Sequence, residues 1–447
     1  MAGISPARAQ AFRILLQMEG GRGHSDTLLR GREVSALPPL DRNLATALVL
    51  GTLRWQIELD QRIRPLLKHP NAKLDAEVRI ALRLGVFQLM HMERIPARAA
   101  IDESVELTKR AGHKFASGLV NAVLRKVAQS HVNSENDCLN AYPAWMLERW
   151  TDFYGRKEAF SICRSGQEQP SISVRLTGDT IKPELATEGI ELGPGEFLQV
   201  AWRVIAGDVT KAAALREGRL RIQDEGSQLI AELIPRGNSI LDSCAAPGGK
   251  TLILAERNPE MIIVACEASP QRLAQLQKRL QPLGERAQCR LADATNFGEE
   301  NAFDVVLADV PCSGTGTLGR NPEIRHRLQP GDLPRHAERQ KALLQSALRV
   351  VRPGGYVLYS TCSLEPEENE QVVDAILSES KNTQIAPFQQ RIEKLSAERI
   401  LTTAGADRLL ESITSQGFLR LLPGAFQTDG FFAALLRKKP SSPPTLP

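Results

Sequence analysis

The sequence predicts a multidomain fold: an all-α N-terminal domain, a small α+β linking subdomain, and a doubly wound, Rossmann-like α/β domain with an antiparallel strand at its C-terminal edge. Three observations predict it. From Pro6 to about Ala128, apolar residues return at helical spacing, as in "RNLATALVLGTLRW" and "VRIALRLGVFQLMHM". A mixed segment follows that opens with "YPAWMLERWTDFYG", in which "SISVRLTG" and "EFLQVAWRV" read as strands. From Leu220 onward, strand-like runs alternate with helical ones, the pattern of parallel strands covered by helices.

Each element follows from local signals. Stops such as "ALPPLD" and "KHPNAK" cut the N-terminal region into separate helices. The polar stretch "AQSHVNSENDCLN" reads as a linker, so the helical domain is placed at 1–140 and the linking subdomain at 141–219. The α/β domain is placed at 220–439. In it "SILDSCAA", "MIIVACEA", "AQCRLADA", "FDVVLADV" and "GGYVLYSTC" are strand-like, while "QRLAQLQKRL" and "AERQKALLQSALRVV" are helical. "GFLRLLPG" and "GFFAALLRK" are expected to pair as an antiparallel edge, with Phe431 and Phe432 as core or strand-pairing residues. Residues 440–447 read as a disordered tail.

A chain of 447 residues is long enough for two or three domains. Its formal charge is +4, but residues 1–140 hold 20 Lys+Arg against 14 Asp+Glu, a balance of +6 that leaves −2 for the rest. That is the sign expected of an N-terminal module that meets phosphates. Seven scattered cysteines without a C-x-x-C pair argue against a disulfide framework or a zinc site, and for a reducing compartment. No window approaches ~18 consecutive apolar residues. The expectation is a cytoplasmic monomer without metal, DNA or membrane partners.

Two glycine motifs need sorting before the chemistry is placed. "ILDSCAAPGGKT", residues 240–251, nearly spells a phosphate-binding loop, but Cys244 stands where its first glycine belongs. Glu267 closes the next strand, "MIIVACEAS", where an acid takes a ribose hydroxyl pair, so the loop suits a nucleoside better than a triphosphate. "GTGTLG", residues 314–319, matches the dinucleotide fingerprint formally, yet it does not turn a first strand directly into a helix. A dehydrogenase is disfavoured accordingly. In an open α/β sheet, ligands lie at the carboxyl ends of the strands. Those ends offer the Cys244–Lys250 loop, Glu267, Asp293 in "LADAT", Asp309, Pro311 and Cys312 in "ADVPCSGTG", and Cys362 in "YSTCS".

"CAAPGGKT", "DVPCSGTG", "RNPEIR", "YSTCSLEPEENE" and "LLPGAFQTDGFFAALL" together resemble the motif series of the NOL1/NOP2/Sun RNA cytosine-5 methyltransferases. "IQDEGSQL", residues 222–229, is similar to the segment that leads into their catalytic domain. "LRLGVFQL" and "ASGLVNAVLRKV" resemble the NusB-like RNA-binding helical domain, and the fusion of the two is the architecture of the RsmB (Sun/Fmu) type. One departure is "VRLT", residues 174–177, where relatives usually show Arg-Val-Asn.

The resemblance implies S-adenosylmethionine as cofactor and a cytosine of 16S ribosomal RNA as substrate. It implies Cys362 as the nucleophile and Cys312 as the residue that assists release, a choice residue chemistry alone leaves open. Asp309 is expected to contact the base, with Lys250 in support. Cofactor contacts are implied at Cys244, Ala245, Ala246, Pro247, Gly248, Gly249, Lys250, Glu267, Arg272, Asp293 and Asp309. Arg320, Arg325 and Arg327 are placed in sequence to meet the RNA backbone, or else form a solvated cluster. "EENE", residues 367–370, reads as a dipole-complementing first helical turn. Two other functions remain open: the same chemistry on transfer RNA, and a non-catalytic RNA-binding or antitermination factor.

Overall fold

The computed structural model describes residues 3–71, 73–130, 137–178 and 180–440. The core of the expected linker, 131–136, and residues 441–447 of the expected tail 440–447 lie outside the described residues. The chain forms two compact units, one of residues 1–169 with Leu318–Arg327, the other of 170–317 with 328–447.

The helical unit is built around Ala76–His91, whose Val78, Ile80, Ala81, Leu82, Leu84, Val86 and Phe87 are all buried. A helix apolar on so many sides has to be central. Pro6–Glu19, Pro39–Ile63, Ala97–Arg110 and Ser117–Gln129 pack around it. Gly51 is required there: a Cβ at that position would stand 1.9 Å from the Phe87 ring. Ala144–Tyr154 and Arg156–Gln167 belong to the same unit, so the segment placed at 141–219 is divided, with these two helices here and its strands and the shorter helices Ile181–Thr187 and Ala213–Arg216 in the sheet unit.

In the sheet unit, β1 (Ser173–Leu176), β2 (Glu191–Pro194), β3 (Ala201–Ala206) and β4 (Leu220–Ile222) form an antiparallel sheet in the order β2-β3-β1-β4. Residues Glu196–Val200 of the expected strand "EFLQVAWRV" lie before β3. The backbone amides of Glu196, Phe197 and Leu198 instead donate to the Glu225 carboxylate at 2.7–2.8 Å. The unusual "VRLT" run has a structural task. Arg175 is buried and pairs with Glu232 at 2.7 Å and Glu256 at 2.9 Å.

The large sheet comprises β5 (Ser239–Asp242), β6 (Ile262–Glu267), β7 (Ala287–Leu291), β8 (Phe303–Asp309), β9 (Val351–Thr361), β10 (Thr383–Ile385), β11 (Leu419–Leu421) and β12 (Phe431–Lys438). Its order is β10-β12-β9-β8-β5-β6-β7, with β11 also on β12. The first five strands are parallel. β12 runs antiparallel to β9, β10 and β11, so it is an inner strand and the short β10 and β11 flank it. Phe431 and Phe432 are buried, in keeping with their expected packing role.

Candidate active site

The chain passes from β5 out to β7 and then returns to β8 on the other side of β5, which makes a switch point at the carboxyl ends of these strands. A cleft of ≈ 210 Å³ opens there. It gathers Cys244, Ala246, Glu267, Arg272, Asp293, Asp309, Cys312 and Cys362 from five separate strand ends. Ala245, Pro247 and Gly248 form the turn behind this wall, and Gly249 and Lys250 open the helix that follows, so none of the five is in the lining. Gly248 caps the following helix with φ at 97°, and a Cβ on it would also press to 2.9 Å from Leu276.

Lys250, in the first turn of that helix, reaches to β8, where its Nζ donates to Asp309 Oδ2 at 2.7 Å above the Phe431 ring. Asp309 and Ser360 are register partners on the parallel pair β8 and β9, and the Ser360 hydroxyl donates to Asp309 Oδ1 at 2.8 Å. The same register sets the two following loops side by side. Cys312 and Cys362 therefore face each other with their sulfurs 3.4 Å apart.

The electrostatics separate these groups. The Cys312 thiol is held well above the usual range by its hydrogen bond to Cys362, by burial, and by the charges of Cys362 and Glu368. Burial disfavours the Lys250 ammonium, but Asp309, with smaller help from Cys362 and Asp242, outweighs it and raises its pKa. Asp242, at the end of β5, is pushed up to about 7 mainly by burial. Burial lifts the Cys244 thiol to about 12, which makes it a wall residue rather than a nucleophile.

Glu267 is nearly buried, accepting from Ser269 N at 2.9 Å and facing Arg272 at 3.4 Å. Arg272 in turn donates to Ala246 O at 2.8 Å, tying the second strand end to the first. Asp293 caps a short turn through Thr295 and also lines the cleft. Sequence reasoning missed Arg339 and Leu343, which reach the cleft from the middle of the helix Leu333–Val350, where no strand end marks them. It also missed Ser360, although that residue stands two places before Cys362 in a motif already singled out.

Two readings are corrected. Arg325 is 1% exposed and meets no solvent: it donates to the carbonyls of Arg54, Ala141 and Gly166 at 3.0–3.3 Å and lies over the Tyr142 ring. Of "EENE", only Glu370 stands in the first turn of the helix that follows, while Glu367 and Glu368 lie in a short turn before it. Glu368 is fully buried before the helix Glu370–Glu379 begins, because it serves hydrogen-bond donors of the two cysteine loops.

The 16S rRNA methyltransferase RsmB/F family profile matches residues 232–437, and the NusB family profile residues 5–129. The chain is 31% identical over 453 residues to the probable ribosomal RNA small subunit methyltransferase B of Bacillus subtilis (strain 168), covering 96% of this chain and 98% of the relative. It belongs to the RsmB/F methyltransferase family. Ribosomal RNA small subunit methyltransferase B of Pseudomonas syringae pv. tomato is 34% identical over 357 residues, 76% of this chain and 79% of the relative. The solved structure of PH0851 has the same fold, with a TM-score of 0.78 at 24% identity over 98% of this chain and 100% of that one. Membership of the RsmB/F family removes the non-catalytic antitermination reading. In this RsmB/F chain, no helix among the described residues is long and apolar enough to cross a membrane.

Proposed function

We propose that the protein transfers a methyl group from S-adenosylmethionine to C5 of a cytosine in 16S ribosomal RNA, through a covalent adduct on Cys362. The cleft fits that cofactor by its chemistry. A nearly buried carboxylate at the second strand end suits a ribose diol, Asp293 suits an exocyclic amine, and Ala246, Ala268, Ala292, Val310 and Leu343 supply apolar walls. When bound, the cofactor supplies an electrophilic methyl group.

The chain's own residues do the rest. Cys362 adds to C6, the S–C6 bond forms, and the displaced π pair makes C5 nucleophilic. Asp309, fixed by Lys250 and Ser360, meets the base at N3 or its amine and stabilises the protonated ring. Once C5 is methylated its proton passes to solvent, the freed C–H pair restores the C5–C6 double bond, and the S–C6 bond breaks with its pair returning to the Cys362 sulfur. Cys312, across 3.4 Å, assists that release. A stacked base cannot present its face to this pair, so the target lies in a loop or is flipped out. The observation that carries this reading is two cysteines facing each other beside a lysine-braced aspartate.

Incubation with methyl-tritiated S-adenosylmethionine and either 16S ribosomal or transfer RNA, followed by digestion to nucleosides, tests it. Labelled 5-methylcytidine is expected from the 16S arm. Label in transfer RNA alone, or in any other nucleoside, defeats it. For the cofactor site, Glu267→Ala is expected to weaken S-adenosylmethionine binding by ~1–3 kcal/mol, the cost of unpaired buried polar groups. Calorimetry giving wild-type affinity in a folded variant would refute that assignment.

A further inference from the structure

Beneath the cysteine pair lies a carboxylate that the reaction scheme does not use. Glu368 is 0% exposed. Its Oε1 accepts from the Ser313 amide at 2.8 Å and from Gln340 Nε2 at 2.9 Å. Its Oε2 accepts from both the Ser313 and Ser363 hydroxyls. Ser313 directly follows Cys312, and Ser363 directly follows Cys362, so one carboxylate gathers the residue after each sulfur. The two hydroxyls stand 3.0 Å apart, close to the 3.4 Å between the sulfurs.

Neighbouring bonds complete the clasp. Gln340 also donates to Pro311 O at 3.0 Å, Gly316 N donates to Cys362 O at 2.8 Å, and Asn369 Nδ2 donates to Ser363 O at 2.9 Å. A buried carboxylate is costly unless donors surround it. Replacing the carboxylate by an amide turns one of its two acceptor oxygens into a donor, so the four bonds to the cysteine loops and Gln340 cannot all be kept.

We propose that Glu368 is a positioning residue for the reaction: acting through the Ser313 and Ser363 hydroxyls, it sets the separation and orientation of Cys312 and Cys362. Glu368 does not line the cleft, so it acts through these loops. Its catalytic consequence rests on the cysteine mechanism proposed above, whereas its effect on the sulfur pair does not.

The test uses full-length Glu368→Gln, Ser313→Ala and Ser363→Ala, with thermal unfolding and S-adenosylmethionine affinity as controls for folding. Diamide oxidises two facing thiols to a disulfide, its N=N bond taking up the two hydrogens, and the bond forms only where the sulfurs close to ~2.05 Å. The wild type is expected to form the Cys312–Cys362 disulfide, measured by mass spectrometry without RNA, and each variant to form it about tenfold more slowly. With RNA, kcat should fall by up to about 100-fold, as for a misplaced reacting group, with KM unchanged.

Wild-type cross-linking rates in both serine variants overturn the proposal, even if Glu368→Gln fails to fold. A folded Glu368→Gln with wild-type kcat also overturns it. If the wild type makes no 5-methylcytidine, the cytosine reading falls, while the cross-linking rates still decide the role of Glu368.

Discussion

Cys362→Ala is expected to lose methylation by on the order of 10⁴-fold or more, as when a covalent nucleophile is removed, and to form no adduct with RNA. Cys312→Ala is expected to fail differently. Its nucleophile is intact, so addition and methyl transfer proceed, but release stalls and multiple turnover drops by roughly 10²–10⁴-fold, the range for a lost proton-transfer group. A denaturation-resistant protein–RNA complex should therefore accumulate with cofactor and RNA present. The double variant should lose that complex, because trapping needs Cys362. Geometry supports the division of labour. The Cys312 thiol lies 3.4 Å from Cys362, and that hydrogen bond, burial and the nearby Glu368 raise its pKa well above the usual range. A gel-shifted adduct from Cys362→Ala, or none from Cys312→Ala while the wild type turns over, reverses the assignment.

The parts of this site legible in the sequence are those that lie on strand ends. A change of hydrophobic period from helical to alternating elements marks the sheet unit, and the rule that ligands gather at carboxyl ends then points to Glu267, Asp293, Asp309, Cys312 and Cys362 without further help. What escaped was decided by tertiary burial of polar side chains. Glu368 has the local sequence of a charged helix start, and only the approach of the Cys312 loop turns it into a shared acceptor. Arg339 reaches the cleft from mid-helix, where no motif flags it. The position of β12 was half legible: its antiparallel pairing follows from the "GFLRLLPG" and "GFFAALLRK" runs, but its place between β9 and β10 depends on a short strand with little sequence signal.

The same limit applies to the arginines after Cys312, and it makes a large prediction. Arg325 was expected at an RNA backbone or in solvent, yet it sits inside the helical unit as the common donor to three carbonyls on separate segments. Burial lowers its pKa, so its hydrogen bonds and the Tyr142 ring, 4.1 Å away, must compensate for desolvation. Arg325→Met keeps much of the volume but takes the side-chain donor from the Ala141 and Gly166 carbonyls, while Arg54 O keeps Gln167 Nε2 at 3.2 Å. The helical unit should lose about 3 kcal/mol or more, since each buried orphan costs roughly 1–3 kcal/mol. Trp55, Trp145 and Trp150 all lie in that unit, so denaturation followed by tryptophan fluorescence reports mainly on it. A second measurement separates the two roles. An arginine on a phosphate contributes about one unit to the slope of log affinity against log salt, whereas a buried one releases no counterion. The slope for RNA binding by folded Arg325→Met is therefore expected to match the wild type. A slope smaller by about one, with stability unchanged, would return Arg325 to the RNA interface.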